Sequence, residues 1–536
     1  MQRKNILWID DEIEFFRAHI MFLEARGYSV TPLYSGYDGL SALHKNHNLY
    51  DIVLLDEQMP GKDGLSVLSE IKEFLPDLPV VMVTKSEEED LMERAIGKKI
   101  DGYLTKPVNP SQILIICKNL LCSQEILSDQ VKNAFVKSYS EIESKLRSNL
   151  SYKEWVKIYQ KITKREFDAD GIKEESFRQK HFSQKIEANE LFADFFMQNY
   201  PLWIKNPELS GKPVLLTEIM KSFIVPELEK NTKIALIILD SFHLDQFVVV
   251  QRLLKKIFQF SQAHFCSSIV PTTIPHALSA LLTGLLPKDF ANEKPDLWQS
   301  LSENGTGVWK GVAKFGTQRY SESIWKDVAK FGAQRLGCKK NVLFYNILKE
   351  TANPHSIISQ ISHKNNFGII FANFLELVSP NKQNKLMKNI ISDSKMFLEM
   401  TAAWFEKSGL HELLKLAAKE KIKVILTASG GNILCTSPTE LYGTHSGYSN
   451  PRFRCGELMS SDMRTGYYVT SPDEYGLPVK AESTSFNILR GNYYFVEHGN
   501  YSEISKKQLN FFDRGGVSLE EAIVPLVILS PKQDEN

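Results

Sequence analysis

The feature that most constrains the fold is an alternation, over the first 122 residues, of short apolar runs with stretches of helical periodicity. Alternation at this spacing predicts an α/β fold, a parallel sheet with helices on both faces. We expect five strands here: NILWI (5–9), YSVTPL (28–33), DIVLL (51–55), PVVMV (79–83) and GYLT (102–105).

Polar residues stand where four of these predicted strands end. In strand order they are Asp10 and Asp11, Asp56, Thr84, and Lys106. In an open parallel sheet the ligand site lies beyond the carboxyl ends of the strands, so these side chains should meet. Because three carboxylates repel one another, we expect Mg²⁺ among them, with the backbone carbonyl of Gln58 as a further ligand.

This set of side chains predicts phosphoryl chemistry. The carboxylate of Asp56 can attack phosphorus and form an acyl phosphate. Lys106 would offset charge on the phosphoryl oxygens, and Thr84 would donate a hydrogen bond to one of them. The alternative is that each acid only caps a helix. That interpretation explains one match but not five at the correct strand ends.

Four segments, WIDDE, LLDEQMPGKDG, VVMVT and YLTKP, resemble in order and spacing the motifs of the response-regulator receiver family. The resemblance implies a flavodoxin-like domain over residues 1–122, a sensor histidine kinase as partner, and phosphorylation of Asp56. It implies that Thr84 and Tyr103 are switch residues and that the Lys106–Pro107 peptide is cis. Receivers of this family usually dimerise or release an output domain once phosphorylated, so homodimerisation is expected.

Three positions bear on the lifetime of the phosphoryl group. Gln58 and Ser86 stand where family members tune that lifetime, and Lys85 replaces the usual small residue after the threonine. The resemblance therefore implies the reaction but leaves the lifetime open.

The strand pattern disappears from 123 to 225 and returns from 226 to 536. The middle part predicts a helical linker bundle, and the last part a larger α/β domain. The expected core aromatics of the bundle are Trp155, Phe195, Phe196 and Trp203.

The last part resembles the PglZ branch of the alkaline phosphatase superfamily in three segments. They are ALIILDSFHLDQF (235–247), SSIVPTTIPHALSALLTGLLP (267–287) and FFDRGGVSLEEAIVPLVILSP (511–531). A receiver, a helical linker and a PglZ-like domain together resemble response regulators of the PorX type, which are associated with type IX secretion. The superfamily uses two zinc ions and a Thr or Ser nucleophile, which implies Asp240 as a metal ligand and Thr272 as the nucleophile. Arg452 and Arg454 fall in a basic segment suited to phosphate.

The other metal ligands are largely missing. Ser429 and Gly430, in ILTASGG, stand where the family has Asp-His, and NFLELVSP provides only Glu376. Arg514 replaces the histidine before the Gly-Gly pair. Zinc requires about four His, Cys, Asp or Glu ligands, so zinc is doubtful here. We expect a residual pocket of Asp240, Thr272, Glu376, Arg452 and Arg514, with Arg514 pairing with Asp240 or Glu376 or binding phosphate.

Three interpretations follow for the larger domain. The first is a pseudoenzyme that acts through protein interaction, with secretion-system or transcription components as partners. The second is a phosphorylation-controlled, metal-dependent phosphodiesterase that acts on oligonucleotides through Thr272. The third is that metal ligands come from elsewhere in the chain.

Charge and composition exclude several other classes. The 64 basic and 64 acidic residues give no net field for nucleic acid or an anionic membrane, and no DNA-binding helix motif follows the receiver. The start MQRKNILWIDDE has no signal-peptide pattern, and no apolar run approaches a membrane span, so a cytoplasmic protein is expected. A near repeat, WKGVAKFGTQR (309–319) and WKDVAKFGAQR (325–335), is interpreted as a duplication in a surface excursion.

Overall fold

The structure is a computed structural model that describes residues 3–46, 49–85, 100–168, 175–303, 322–338, 342–348, 352–373, 394–445, 450–479, 484–497, 501 and 510–532. The chain divides into two units, Met1–Phe135 and Val136–Asn536. The division falls within one long helix, Pro110–Leu146.

The first unit is built on a five-stranded parallel sheet in the order β2-β1-β3-β4-β5. Its strands are β1 (Lys4–Ile9), β2 (Tyr28–Leu33), β3 (Ile52–Asp56), β4 (Val80–Thr84) and β5 (Gly102–Thr105). A 3₁₀ turn (Ile13–Phe16) precedes the helices α1 (Arg17–Glu24), α2 (Gly36–Lys45), α3 (Gly64–Phe74) and α4 (Pro110–Leu146). The predicted strands and the receiver fold are confirmed.

Local sequence explains how α3 approaches the end of β3. Asp63 begins the helix by accepting a hydrogen bond from the Ser66 amide, at 2.8 Å. Gly64 follows, and a Cβ there would lie 2.2 Å from the carbonyl oxygen of Asp56. Only glycine therefore allows the helix to begin this close to the strand end. Apolar clusters cover both faces of the sheet, which explains why β3 and β4 are buried throughout.

The second unit opens with the linker helices that the sequence predicts. They are α5 (Tyr152–Asp168), α6 (Glu175–Lys205), α7 (Leu216–Ile219), a π-helical turn (Met220–Ile224) and α8 (Val225–Glu229). Trp155, Phe196 and Trp203 are buried, and Phe195 packs against them partly exposed. These aromatics share one core with the strands of the larger domain instead of forming a bundle with its own core.

The larger domain is built on a six-stranded mixed sheet in the order β7-β18-β10-β6-β9-β8. Its strands are β6 (Ile234–Asp240), β7 (Phe258–Ser267), β8 (Leu343–Asn346), β9 (Phe367–Asn373), β10 (Lys423–Thr427) and β18 (Ile523–Pro531). Strands β8, β9, β6 and β10 run parallel, while β18 and β7 add antiparallel pairs at one edge.

A second five-stranded sheet, in the order β14-β15-β13-β12-β16, and a β11-β17 pair complete the strands. Their bounds are β11 (Ile433–Cys435), β12 (Ser437–His445), β13 (Phe453–Ser461), β14 (Gly466–Val469), β15 (Thr484–Leu489), β16 (Tyr493–Glu497) and β17 (Phe511–Asp513). The helices of this part are α9 (Leu244–Ile257), α10 (Ile274–Thr283), α11 (Pro287–Glu293), α12 (Pro295–Glu303), α13 (Glu322–Arg335), α14 (Pro354–Gln360), α15 (Ser394–Lys407), α16 (Gly409–Lys419) and α17 (Leu519–Ala522). A π-helical turn (Ile361–Asn365) extends α14, and a 3₁₀ turn (Pro472–Tyr475) follows β14.

The interpretation of the repeat as a surface excursion is wrong for its second copy. That copy forms α13, in which Trp325, Val328 and Ala329 are buried. Gly332 packs so closely that a Cβ would lie 2.0 Å from the carbonyl oxygen of Leu282. The first copy lies outside the described residues. The apolar positions of the motif, spaced for one helix face, are therefore core positions in the second copy.

Candidate functional site

The three acids predicted at the receiver strand ends meet at one edge of the sheet. Asp10 is fully buried, Asp56 is 4% exposed, and Asp11 is open to solvent. One carboxylate oxygen from each lies within 4.8 Å of the others. Two of the three charges are thus held out of water, which is costly unless a cation faces them.

Lys106 brings the first positive charge to these acids. Its Nζ lies 2.8 Å from Oδ2 of Asp10 and 3.0 Å from Oδ1 of Asp56. The peptide between Lys106 and Pro107 is cis, as predicted. Thr84, at the end of β4, is fully buried. The structure therefore brings together the residues that the strand-end pattern predicts.

The electrostatics of the site follow from this burial. Burial raises the pKa of Asp56 to about 6, with Asp10 and Asp11 acting in the same direction and Lys106 opposing them. Burial alone would lower the pKa of Lys106, but hydrogen bonds and charge from Asp10 and Asp56 outweigh it and raise that pKa. Lys106 therefore stays charged, and the carboxylate of Asp56 is mainly ionised at neutral pH.

The donor set fits a hard divalent cation. All three groups offer carboxylate oxygens, the ligands that Mg²⁺ prefers, and one lysine leaves their combined charge only partly balanced. Gln58, the further ligand expected from the sequence, is exposed and lines an open groove with Asp11.

Two neighbouring contacts could not be read from the motifs. Glu57, which follows Asp56, is 8% exposed and accepts a hydrogen bond from the hydroxyl of Thr84. Lys85 extends to Glu12, with its Nζ 2.7 Å from Oε2. Tyr103 is partly buried against one of the two apolar clusters. Ser86 lies outside the described residues, so its predicted effect on phosphoryl lifetime stays a prediction.

In the larger domain, the guanidinium of Arg514 lies against the carboxylate of Asp240. Asp240 ends β6 and is fully buried, and Nη1 of Arg514 lies 2.5 Å from its Oδ1. The hydroxyl of Ser429 donates to the same oxygen and accepts from Nη1 of Arg514 at 3.1 Å. Of the three roles expected for Arg514, the structure shows the pair with Asp240.

Thr272 lies in this network with its hydroxyl engaged. The oxygen accepts a hydrogen bond from the Gly515 amide at 2.9 Å and donates to the Gly516 carbonyl at 3.1 Å. Nε of Arg514 donates to the backbone carbonyl of Thr272, whose side chain is fully buried. This hydroxyl therefore fastens the Gly-Gly segment to the start of α10.

The sequence suggests that Arg452 contacts phosphate, but its guanidinium binds groups of the domain itself. Its guanidinium makes a two-pronged pair with Glu521, at 2.9 and 3.0 Å, and donates to the carbonyl of Tyr493. Both charged side chains are fully buried. Arg454 is also buried, and its guanidinium lies over the ring of Phe495. The contacts of Arg452 and Arg454 show that both arginines of the basic segment belong to the packed interior of the domain.

The described pocket residues do not fit a pair of zinc ions. A cationic guanidinium lies against Asp240, and Glu376 is outside the described residues. Within the part of the chain that the structure describes, the receiver acids are the sole group of three metal-ligating side chains close enough to share an ion. His243 and His276 are buried, and Nδ1 of His276 is bonded to Thr273 at 2.6 Å. Among the described helices, none is long and apolar enough to cross a membrane.

Three protein-family profiles match the chain. Residues 6–118 match the response regulator receiver domain, 125–204 the PorX response regulator linker domain, and 219–529 the BREX system PglZ alkaline phosphatase-like domain. The PglZ match alone covers more than half of the chain.

Individual relatives match the receiver. The transcriptional regulatory protein ResD of Bacillus subtilis is 33% identical over 118 residues, 22% of this chain and 48% of that protein. BaeR of Escherichia coli is 35% identical over 119 residues, with the same coverage of 22% and 48%. The chain thus spans about half the length of these curated relatives.

A solved receiver domain from Clostridium thermocellum is 31% identical, with a TM-score of 0.22. The match covers 98% of that domain and 23% of this chain.

The succession of the three matched families settles which family the whole chain belongs to. The chain belongs to the PglZ alkaline phosphatase-like family and is a response regulator of the PorX type.

Proposed function

We propose that a sensor histidine kinase transfers a phosphoryl group to Asp56 and that this event controls the larger domain. The observation that carries the proposal is the meeting of three carboxylates with Lys106 at one sheet edge. Asp10, Asp11 and Asp56, with the carbonyl of Gln58, would hold Mg²⁺, which when bound neutralises charge on the phosphoryl oxygens.

The chain's own residues have distinct tasks in the transfer. An oxygen of the Asp56 carboxylate forms a bond to phosphorus while the bond from phosphorus to the donor's leaving group breaks. Lys106 faces the resulting acyl phosphate with a fixed positive charge, since it already contacts Asp56. The hydroxyl of Thr84 turns toward a phosphoryl oxygen. This movement, with Tyr103, changes the surface that governs homodimerisation and domain packing.

The receiver proposal is tested with acetyl phosphate and Mg²⁺ on the full chain. Intact-mass measurement should show one phosphoryl adduct on wild type and none on Asp56→Asn. The matched control is Asp63→Asn, an acid on the same groove whose carboxylate caps the start of α3. Labelling of Asp56→Asn at the wild-type level would overturn the proposal.

For the larger domain we propose action through protein interaction, without zinc-dependent hydrolysis. Arg514 supplies the positive charge beside Asp240, and the hydroxyl of Thr272 is bonded to Gly515 and Gly516. A hydroxyl needs a metal or a base to become a nucleophile, and neither lies against Thr272 among its described contacts. We further propose a cytoplasmic location, with secretion-system or transcription components as partners by family resemblance.

A hydrolysis assay separates this proposal from a metal-dependent phosphodiesterase. With added Zn²⁺ or Mn²⁺, oligonucleotides and aryl phosphodiesters should remain intact, whether or not the receiver is phosphorylated. Turnover that disappears in Thr272→Ala and persists in the nearby Thr273→Ala would establish the enzyme instead.

A further inference from the structure

Glu57 is a buried acid whose place in the receiver site comes from the structure. Its amide donates to the carbonyl of Val83 at 3.2 Å, and its carbonyl accepts from the Gly64 amide at 2.8 Å. Its backbone is therefore held between the end of β4 and the start of α3, directly after Asp56. From this position its side chain turns inward, and 8% of the residue is exposed.

The carboxylate of Glu57 accepts a hydrogen bond from the Thr84 hydroxyl. Thr84 is fully buried, so this bond forms in surroundings where water does not compete. Hydrogen bonds to charged acceptors are about twice as strong as neutral ones. Thr84 is thereby turned toward Glu57 in the unphosphorylated site.

Phosphorylation sets up a competition for that hydrogen. A hydroxyl has a single hydrogen and cannot donate it to Glu57 and to a phosphoryl oxygen together. The phosphoryl group also brings about −1.5 to −2 charges to the residue next to Glu57. Glu57 therefore opposes the phosphorylated arrangement both by holding Thr84 and by like-charge repulsion.

We propose that Glu57 is a positioning residue that holds Thr84 away from the phosphoryl site and so lowers the occupancy of the phosphorylated state. The inference rests on the proposed phosphorylation of Asp56. The match to the receiver motifs assigns no role to this acid, which follows Asp56. Glu57 acts through Thr84 and need not touch the reacting atoms.

The test measures binding of beryllofluoride, a non-covalent phosphoryl mimic, to the full chain with saturating Mg²⁺. Glu57→Gln keeps the shape of the side chain and removes its charge. It should bind beryllofluoride about tenfold more tightly, the factor expected when a charge-assisted bond becomes a neutral one. Glu57→Met, which removes the acceptor altogether, is a second variant and should also bind more tightly than wild type.

A double-mutant cycle with Thr84→Val separates positioning from packing. Without the hydroxyl, Glu57→Gln should change the affinity by no more than about threefold, because only the repulsion remains. An equal effect in both backgrounds, or none in wild type, overturns the inference while the proposed function stands. If wild type binds no beryllofluoride and takes no label from acetyl phosphate, the proposed function fails as well.

Discussion

Arg514 carries a permanent positive charge into a buried position beside Asp240, where related domains are expected to hold a metal. Its Nη1 contacts both Asp240 and Ser429, while Nε is bonded to the carbonyl of Thr272. A guanidinium cannot lose its proton at any physiological pH, so the charge of Asp240 is matched without an ion. The fixed charge of this one arginine therefore limits the chemistry available to the whole pocket.

Removal of Arg514 should therefore be strongly destabilising. Arg514→Met leaves the buried carboxylate of Asp240 without a cation, and we expect a loss of about 3–5 kcal/mol in the free energy of unfolding. The control is Arg464→Met, which breaks the pair with Asp462 on a side chain that is 88% exposed. That variant should show almost no change in urea denaturation, because an exposed ion pair contributes little. Similar losses for the two variants would contradict the role given to Arg514.

His276 should make stability sensitive to acid. Burial lowers its pKa to about 3, against 6.5 for the unperturbed group. The unfolded chain therefore binds the proton more readily, and the stability due to neutral His276 is present above pH 6.5 and falls as the pH drops toward 3. Between pH 7 and pH 5 this corresponds to about 2 kcal/mol.

Urea denaturation at the two pH values measures this effect. His276→Phe keeps the ring that packs against Trp298 and Phe453 and removes the titrating group. Relative to wild type it should gain about 2 kcal/mol on going from pH 7 to pH 5. His355→Phe, at a side chain that is 69% exposed, should show no such gain. If the stability difference between His276→Phe and wild type is the same at both pH values, His276 is not buried in its neutral form.

The residues of the receiver site could be named from the sequence, whereas the contacts of Glu57 could not. Strand ends and motif spacing decide which residues share a sheet edge, so Asp10, Asp56 and Lys106 were accessible to reasoning from pattern. The partner of Thr84 depends on which way the Glu57 side chain turns, and no pattern records that. The use of Arg452 inside the core was missed for the same reason, because its partner Glu521 is distant in sequence.

At the scale of elements, Lys185 on α6 fastens the linker to the larger domain. Its Nζ lies within 3.2–3.4 Å of Glu166 on α5, Asp245 on α9 and Glu520 on α17. Asn189, one turn further along α6, donates to Glu520 and accepts from the Leu519 amide. The helix thereby holds two segments, one following Asp240 and the other following the Gly-Gly pair.

Lys185→Met should loosen this junction, because three carboxylates lose their shared cation. We expect unfolding to require about 3 kcal/mol less free energy, and faster amide hydrogen exchange at α17. Lys205→Met on the same helix breaks an exposed 3.5 Å pair with Glu474 and should change stability by less than about 1 kcal/mol. Unchanged exchange at α17 in Lys185→Met would show that Lys185 is not needed to hold the linker against α17.

Sequence periodicity predicted the five parallel strands of the receiver well, but it missed strands β12, β13 and β7 of the larger domain. YSVTPL and GYLT became β2 and β5 with the predicted bounds, since apolar runs between helices have few other placements. Strands β12, β13 and β7 mix polar with apolar residues, as in TELYGT, so neither face repeats clearly. Their pairing depends on partners distant in the chain.

At the scale of the molecule, the two units should differ in their ability to fold alone. Residues 1–135 contain both apolar clusters of the receiver, so that fragment should unfold cooperatively and accept phosphoryl from acetyl phosphate. A fragment starting at residue 219, where the PglZ match begins, lacks the linker helices that share its core and should fail to fold cooperatively. Calorimetry of the two fragments checks this, and a cooperative transition in the second would show that the linker is dispensable.

The measurement that tests the account most directly is the zinc content of the full-length protein. The protein is incubated with excess Zn²⁺ and with Mg²⁺ to occupy the receiver acids, then gel-filtered and analysed for metal by mass spectrometry. Because the guanidinium of Arg514 already pairs with Asp240, wild type should retain well under one zinc per chain. Two zinc ions per chain, retained equally by wild type and by Asp56→Asn, would contradict the account.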